Sequence, residues 1–184
     1  GKVKVRHYAG STLTSATQTY DSIVGGVIDA GTVVAGYTMG KFPLSEVLDY
    51  PMGIGNGAIA TRMMNAYYEK FKPKELDDVK VMYLFSVGPC HLNTKGKQVT
   101  KLEDLKGMKI RTFGPNARLM TLLGATPVAM PHGEVYDAIA RGVVDGGMLT
   151  DESLKGWKLG EVVNYTTELP DLGGGAAFVV AMNK

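Results

Sequence analysis

The chain has 184 residues, of which 45% are hydrophobic and 21% charged, with a formal net charge of +2. This composition is typical of a globular protein, and the scattered basic residues exclude the basic groove that nucleic-acid binding needs. No apolar run is long enough for direct insertion into a membrane, and a single cysteine excludes an internal disulfide.

The first half of the sequence alternates strand-like and helix-like patterns. Strands are predicted at 2–8, 27–37 and 79–87, and helices at 15–26 and 59–72. Gly25 and Gly26 end the first helix, and Pro73 stops the second because proline cannot continue it.

The second half repeats this alternation after a polar, turn-rich stretch at 88–107. Strands are predicted at 108–113, 126–131 and 143–149, and helices at 115–124 and 133–142. Asp151 and Glu152 are typical of a first helical turn.

This alternation predicts an α/β fold of two lobes with mainly parallel sheets and a ligand cleft between the lobes. We expect a first lobe at 1–88, a second at 89–175, and a strand at 176–184 that returns toward the hinge. The chain opens on a strand without a start methionine and ends on another. We therefore expect a piece of a longer protein, with an incomplete first lobe.

Two stretches of the chain are nearly the same: SIVGGVIDAGTV at 22–33 and AIARGVVDGGML at 138–149. Each has a glycine after a helix, then a β-branched pair, an aspartate and small residues. Glycine supplies the left-handed helix cap, and the β-branched pair suits a strand. The repeat therefore predicts the same helix-to-strand turn in each lobe.

Several polar and aromatic residues follow predicted strands, where ligands bind in open α/β sheets. They are Tyr37, residues 88–91, Arg111–Phe113 and residues 148–152. Arg111 ends an apolar strand among uncharged neighbours, where a guanidinium suits a carboxylate ligand. A structural ion pair is the alternative for Arg111.

The sequence offers little support for catalysis or a metal site. Cys90 and His91 are adjacent, so an extended backbone points them to opposite faces and they cannot form a nucleophile–base pair. Histidines 7, 91 and 132 lack metal-ligand spacing. GIGNGA at 53–58 follows no strand, so we interpret it as a loop and not as a nucleotide site.

Three segments resemble the substrate-binding subunit of tripartite ATP-independent periplasmic (TRAP) transporters. They are EDLKGMKIR at 103–111, LLGATPVAMPHGEVYDAIARGVVDG at 122–146 and YAGSTLTSATQTYDSIVGGVIDAG at 8–31. The resemblance implies a two-lobed periplasmic-binding-protein type II fold that closes on a small organic carboxylate in the periplasm. It also implies delivery to membrane permease subunits, no cofactor, and a carboxylate clamp at Arg111.

The chain departs from the family pattern at two positions. Cys90, beside His91, stands where the family commonly has a second arginine, and Leu149 stands near its usual asparagine. Fewer polar groups favour a monocarboxylate with an apolar or aromatic body. The predicted ligand-binding residues are Arg111, Phe113, Cys90, His91, Tyr37, Met52, Met148, Leu149 and Asp151. A ligand-sensing input domain and, less favoured, an α/β enzyme are the alternatives.

Overall fold

The computed structural model describes residues 3–169, 172 and 174–184. Within them, the α-helices are α1 (Thr19–Val24), α2 (Gly57–Phe71), α3 (Pro115–Leu122), α4 (Val135–Ala140) and α5 (Asp151–Gly156). The strands are β1 (Ala30–Val34), β2 (Lys80–Ser86), β3 (His91–Thr94), β4 (Lys109–Thr112), β5 (Thr126–Ala129), β6 (Gly146–Leu149), β7 (Tyr165–Thr167) and β8 (Ala177–Met182). Short 3₁₀ turns connect them, including Ala35–Tyr37, Ser45–Asp49 and His132–Glu134.

The first sheet has the order β1-β8-β2, and β8 runs antiparallel to both neighbours. Helices α1 and α2 cover it, and their apolar side chains form one buried cluster with the strands. This cluster includes Tyr20, Ile23, Met64, Leu84 and Val179. Each fully buried side chain of this size contributes about 1.5–3 kcal/mol to stability.

The second sheet has the order β5-β4-β6-β3-β7. β4 is parallel to β5 and β6, whereas β3 is antiparallel to β6 and β7. The second sheet is therefore mixed, whereas the first has only antiparallel pairs. Parallel pairing, which the sequence analysis expected to dominate, is confined to the strands joined through α3 and α4. Parallel neighbours need such helical crossovers, whereas β3 and β8 enter their sheets from connecting segments.

The repeated stretches form the same turn, as predicted. In the first, Gly26 has a φ of 69°, and the amides of Gly26 and Val27 donate to the carbonyls of Ile23 and Ser22. In the second, Gly142 has a φ of 71°, and the corresponding amides donate to Ile139 and Ala138. This is the Schellman arrangement, which satisfies the last carbonyls of a helix before the chain turns into a strand.

We expect Gly142→Ala to lower the free energy of unfolding by about 1–2 kcal/mol. A β-carbon at Gly142 would meet nothing within 4 Å, so the cost comes only from the left-handed backbone. Gly96→Ala is the matched control, because Gly96 also has open space around it but no positive φ. Urea unfolding measures both, and equal effects would contradict this explanation.

The strand predicted at 2–8 is wrong where the structure describes it. Residues 3–8 adopt no regular structure, and Val3 and Val5 are 80% and 83% exposed. Alternating apolar residues stabilise a strand only when a neighbouring strand and a core receive them. Neither is present beside this segment among the described residues.

Strand β3 lies inside the stretch that the sequence analysis took as polar and turn-rich. Its Asn93 and Thr94 are fully buried, yet their side chains are satisfied by hydrogen bonds. Asn93 Oδ1 accepts from Thr166 Oγ1 at 2.7 Å, and Thr94 Oγ1 donates to the Lys97 carbonyl at 2.6 Å. Pairing on both sides thus accommodates polar residues in a central strand without an apolar alternation.

A small apolar cluster joins the two sheets. Val34 at the end of β1 and Ala176 before β8 pack with Phe113, which follows β4. The chain passes from the first sheet to the second between β2 and β3, and it returns to the first sheet before β8. We therefore keep 88/89 and 175/176 as proposed lobe boundaries.

Candidate functional site

A cavity of about 410 Å³ lies between segments that belong to the two sheets. Its lining is Thr17, Gly36, Tyr37, Met39, Phe113, Gly114, Ala117, Ala129, Met130 and Pro131. The volume falls within the range of small-molecule sites, roughly 300–1,000 Å³, and the lining is mostly apolar as in such sites. The cavity therefore suits a compact ligand with an apolar body.

Arg111 is a residue of strand β4 and is only 1% exposed. It lies next to two of the residues that line the cavity. Its Nε and Nη2 donate to the carbonyl oxygen of Met130 at 3.1 and 2.9 Å. Its guanidinium carbon lies 4.9 Å from the centre of the Phe113 ring. Phe113 and Met130 both line the cavity, so they hold the cation at its edge.

The Arg111 charge has no acidic partner among residues 3–169, 172 and 174–184. Burial lowers the pKa of Arg111, while the neighbouring Tyr37 side chain favours its charged form. An arginine remains protonated even so, and an arriving anion would further offset its lost hydration. Within the described residues, the ion-pair alternative for Arg111 therefore has no support.

Tyr37 connects the two sides of the cavity. Its ring packs edge-on against Phe113, with the ring centres 5.0 Å apart. Its hydroxyl oxygen accepts a hydrogen bond from the backbone N–H of His132 at 3.1 Å, across 95 residues of sequence.

His132 belongs to the same neighbourhood, although the sequence analysis assigned it no role. Its ring packs edge-on against Trp157 at 4.9 Å, and its buried Nε2 has no hydrogen-bond partner among the residues that the structure describes. Burial and then the Arg111 charge lower the pKa of His132 to about 4. The imidazole is therefore neutral at physiological pH.

Three residues predicted to face the ligand lie in the hydrophobic core instead. Cys90 and Met148 pack with Ile110 and Met120 in one buried cluster, and Leu149 packs with Ile139 in another. None of them lines the cavity. Their apolar side chains gain more from packing against α3 and α4 than from an open cleft. Burial also raises the pKa of the Cys90 thiol to about 12.

The remaining predicted residues lie outside the cavity. His91 Nδ1 accepts a hydrogen bond from the Leu169 amide at 3.1 Å, which gives it a structural role. Asp151 is the exposed first residue of α5, where a carboxylate stabilises the helix terminus. Met52 lines a separate, much smaller pocket beside Pro89 and Gly175. Of the nine predicted residues, the structure brings together Tyr37, Arg111 and Phe113.

Comparison with known proteins gives a family for the whole chain. Residues 1–184 match the family described as bacterial extracellular solute-binding protein, family 7, or DctP. The chain belongs to this family.

Solved structures of TRAP solute-binding proteins are similar to this DctP chain. One, from Rhodoferax ferrireducens with benzoate, is 34% identical, with a TM-score of 0.88 over 94% of this chain and 55% of that one. Another, a marine metagenome protein specific for aromatic acids, with 3-hydroxybenzoate, is 31% identical, with a TM-score of 0.85 over 92% and 54%. The α/β fold is thus that of two-lobed periplasmic binding proteins with a ligand cleft.

Curated relatives agree with this assignment. A monocarboxylate 2-oxoacid-binding periplasmic protein of Nostoc sp. is 26% identical, over 84% of this chain and 44% of the relative. The chain spans about half the length of the curated relatives that it matches. A relative from Albidiferax ferrireducens, 27% identical over 91% of this chain and 50% of the relative, is also named a solute-binding protein.

The structure also bears on membranes and metals. Within the described residues, no helix has both the length and the apolar character that a bilayer crossing requires. In the same part of the chain, no three His, Cys, Asp or Glu side chains gather as a metal site would need.

Proposed function

We propose that this chain is the ligand-binding part of an extracytoplasmic solute-binding protein for a monocarboxylate with an apolar or aromatic body. The observation that carries the proposal is the buried Arg111 cation beside an apolar cavity, with no acidic partner among the described residues. A ligand carboxylate would pair with the guanidinium, and the ligand body would fill the cavity.

The chemistry of the cavity wall favours one carboxylate over two. Its lining residues include no second cation, and the polar side chains in the lining are those of Thr17 and Tyr37. A second ligand carboxylate would lose its hydration without gaining a partner, which costs several kcal/mol. Aromatic side chains and methionines, such as Phe113, Met39 and Met130, instead suit a flat apolar body.

The similar proteins support this substrate class. The benzoate and 3-hydroxybenzoate structures are TRAP proteins at 34% and 31% identity, and the Nostoc relative is named for monocarboxylate 2-oxoacids. We infer that the chain works in the periplasm, closes its lobes around the acid and delivers it to the permease subunits of a TRAP transporter. We infer binding without turnover, because the family and the similar structures are solute-binding proteins.

A ligand series tests the proposal by thermal shift and isothermal titration calorimetry. Benzoate, 3-hydroxybenzoate, a short 2-oxoacid and succinate are compared, with benzamide as the neutral isostere of benzoate. At 100 times its Kd, a ligand adds about 2.7 kcal/mol to stability. We expect a response to the aromatic monocarboxylates and none to benzamide. Tight binding of succinate without a response to benzoate would refute the proposed ligand class.

A further inference from the structure

Asp49 is a buried carboxyl group at the junction of the two sheets, 1% exposed at the end of the 3₁₀ turn Ser45–Asp49. Its Oδ1 accepts a hydrogen bond from the backbone N–H of Ala177 at 2.5 Å. Ala177 begins β8, directly after the chain crosses from the second sheet to the first. The side chain therefore holds the point at which the crossing segment enters the first sheet.

The second oxygen of this carboxyl group, Oδ2, is buried and has no hydrogen-bond partner within the described part of the chain. It lies against Gly36, which follows β1, so closely that a β-carbon there would be 2.6 Å away. It also faces Gly114, which follows β4, where a β-carbon would be 3.6 Å away. Oδ2 is thus enclosed between segments from both sheets, and both glycines also line the ligand cavity.

The segment that crosses between the sheets before β8 contacts the Asp49 backbone through Gly174. A β-carbon on Gly174 would lie 2.1 Å from the Asp49 carbonyl oxygen, so the two backbones are in direct contact. Asn116 of α3 binds this segment from the second sheet, because its Oδ1 accepts from the Gly174 amide at 3.3 Å. Separation of the sheets would pull these groups apart and admit water to Oδ2.

No cation neutralises the Asp49 carboxylate among the described residues. Glu46, on the same 3₁₀ turn, is the charged group that acts on it, and it disfavours ionisation. The Cys90 thiol, in the segment before β3, also faces the Asp49 carboxyl group, and this thiol is neutral. Tyr37 follows Gly36, and β8 presents the Ala177 amide. Burial above all raises the pKa of Asp49 to about 7, although the Ala177 hydrogen bond lowers it.

We propose that Asp49 couples ligand capture to the uptake of one proton, because its carboxyl group is neutral when the lobes are packed together and ionised when they separate. This proposal rests on the proposed function, since it needs a bound, closed state. An ionised Oδ2 without a partner makes closure costly, and a proton on it removes that cost. Lower pH would therefore favour the closed, ligand-bound state.

The sign and the pH range follow from linkage. The pKa is about 7 when Asp49 is buried, and an open, hydrated aspartate has a pKa of about 3.9. Between these values the closed state carries a proton that the open state lacks. Ligand affinity should therefore rise as the pH falls from 7 toward 5, by up to about tenfold per pH unit. It should be constant above pH 8, where both states are ionised.

The test compares the Kd of benzoate at pH 8, 7, 6 and 5 for the wild type, Asp49→Asn and Asp77→Asn. Asparagine imitates the neutral carboxyl group and keeps an acceptor for Ala177, so we expect Asp49→Asn to bind equally at every pH. Asp77 is exposed, and its variant should follow the wild type. Both variants retain every histidine, so a pH dependence caused by histidine would persist in them.

Calorimetry of benzoate binding at pH 6 in buffers of different ionisation enthalpy counts the protons directly. We expect uptake of nearly one proton by the wild type and none by Asp49→Asn. Should Asp49→Asn fail to fold by circular dichroism, the wild-type count decides alone. Binding without proton uptake, or equal pH profiles in wild type and Asp49→Asn, would overturn the role of Asp49 but leave the proposed function. Absence of benzoate binding at every pH would overturn both.

Discussion

Replacement of Arg111 by methionine is expected to weaken benzoate binding by about 30-fold or more. Methionine keeps the unbranched apolar stem but removes the only cation at the cavity edge among the described residues. Loss of one member of a buried charge pair costs about 2–5 kcal/mol, which corresponds to at least 30-fold in Kd. Isothermal titration calorimetry measures the change.

The same variant separates a binding role of Arg111 from a structural role. Without ligand, we expect Arg111→Met to unfold within about 2 kcal/mol of the wild type, because removal of an unpaired buried charge offsets the lost hydrogen bonds to Met130. Arg118→Met is the matched control on α3, where the side chain is exposed. It should bind benzoate normally. A large loss of stability in ligand-free Arg111→Met, with unchanged benzoate affinity, would show that Arg111 is structural.

Replacement of Gly146 by alanine is expected to be the most destabilising single methyl addition in the second sheet. A β-carbon there would lie 2.1 Å from the Asn93 carbonyl oxygen and 2.9 Å from the Thr94 α-carbon. Both atoms belong to the backbone of β3, so β3 and β6 would have to move apart. We expect a loss of about 3 kcal/mol or more in the free energy of unfolding, measured with urea.

Gly147→Ala is the control for this prediction because it changes the next residue of the same strand. Its β-carbon would meet the Leu149 side chain at 3.2 Å and the Arg111 carbonyl oxygen at 3.4 Å. A side chain can adjust by a few tenths of an ångström, so we expect a loss of about 1 kcal/mol. Equal losses in the two variants would show that backbone contact does not set the cost at Gly146.

The sequence predicted the parts of the fold that depend on local chemistry. The helix-to-strand turns at Gly26 and Gly142 could be predicted because a left-handed glycine and a β-branched pair act over a few residues. Strand β3 could not, because its buried Asn93 is stabilised by Thr166, a residue distant in sequence. The strand predicted at 2–8 was wrong for the opposite reason. Its apolar residues alternate as in a strand, but no neighbouring strand among the described residues pairs with it.

The candidate site likewise combines residues that a local pattern predicts with residues whose positions depend on contacts distant in sequence. Tyr37, Arg111 and Phe113 were predicted because each follows or ends a strand, where α/β sheets place their ligands, and the structure places them beside one cavity. Cys90 and Leu149 satisfied the same rule, but the side of the sheet on which each lies depends on how the helices pack. Asp49 was not found, because its partner Ala177 is 128 residues away and no local pattern marks that contact.

The burial of Cys90 makes the chain suitable for an optical test of the proposed binding of organic acids. Its thiol is 3% exposed and remains protonated, so maleimide dyes react with it slowly. It is also the single cysteine of the sequence. Cysteines introduced at exposed Lys70 on α2 and Lys155 on α5 would therefore carry a donor and an acceptor dye without background labelling. Energy transfer between the dyes would then report whether the two sheets approach each other on ligand binding, as we propose.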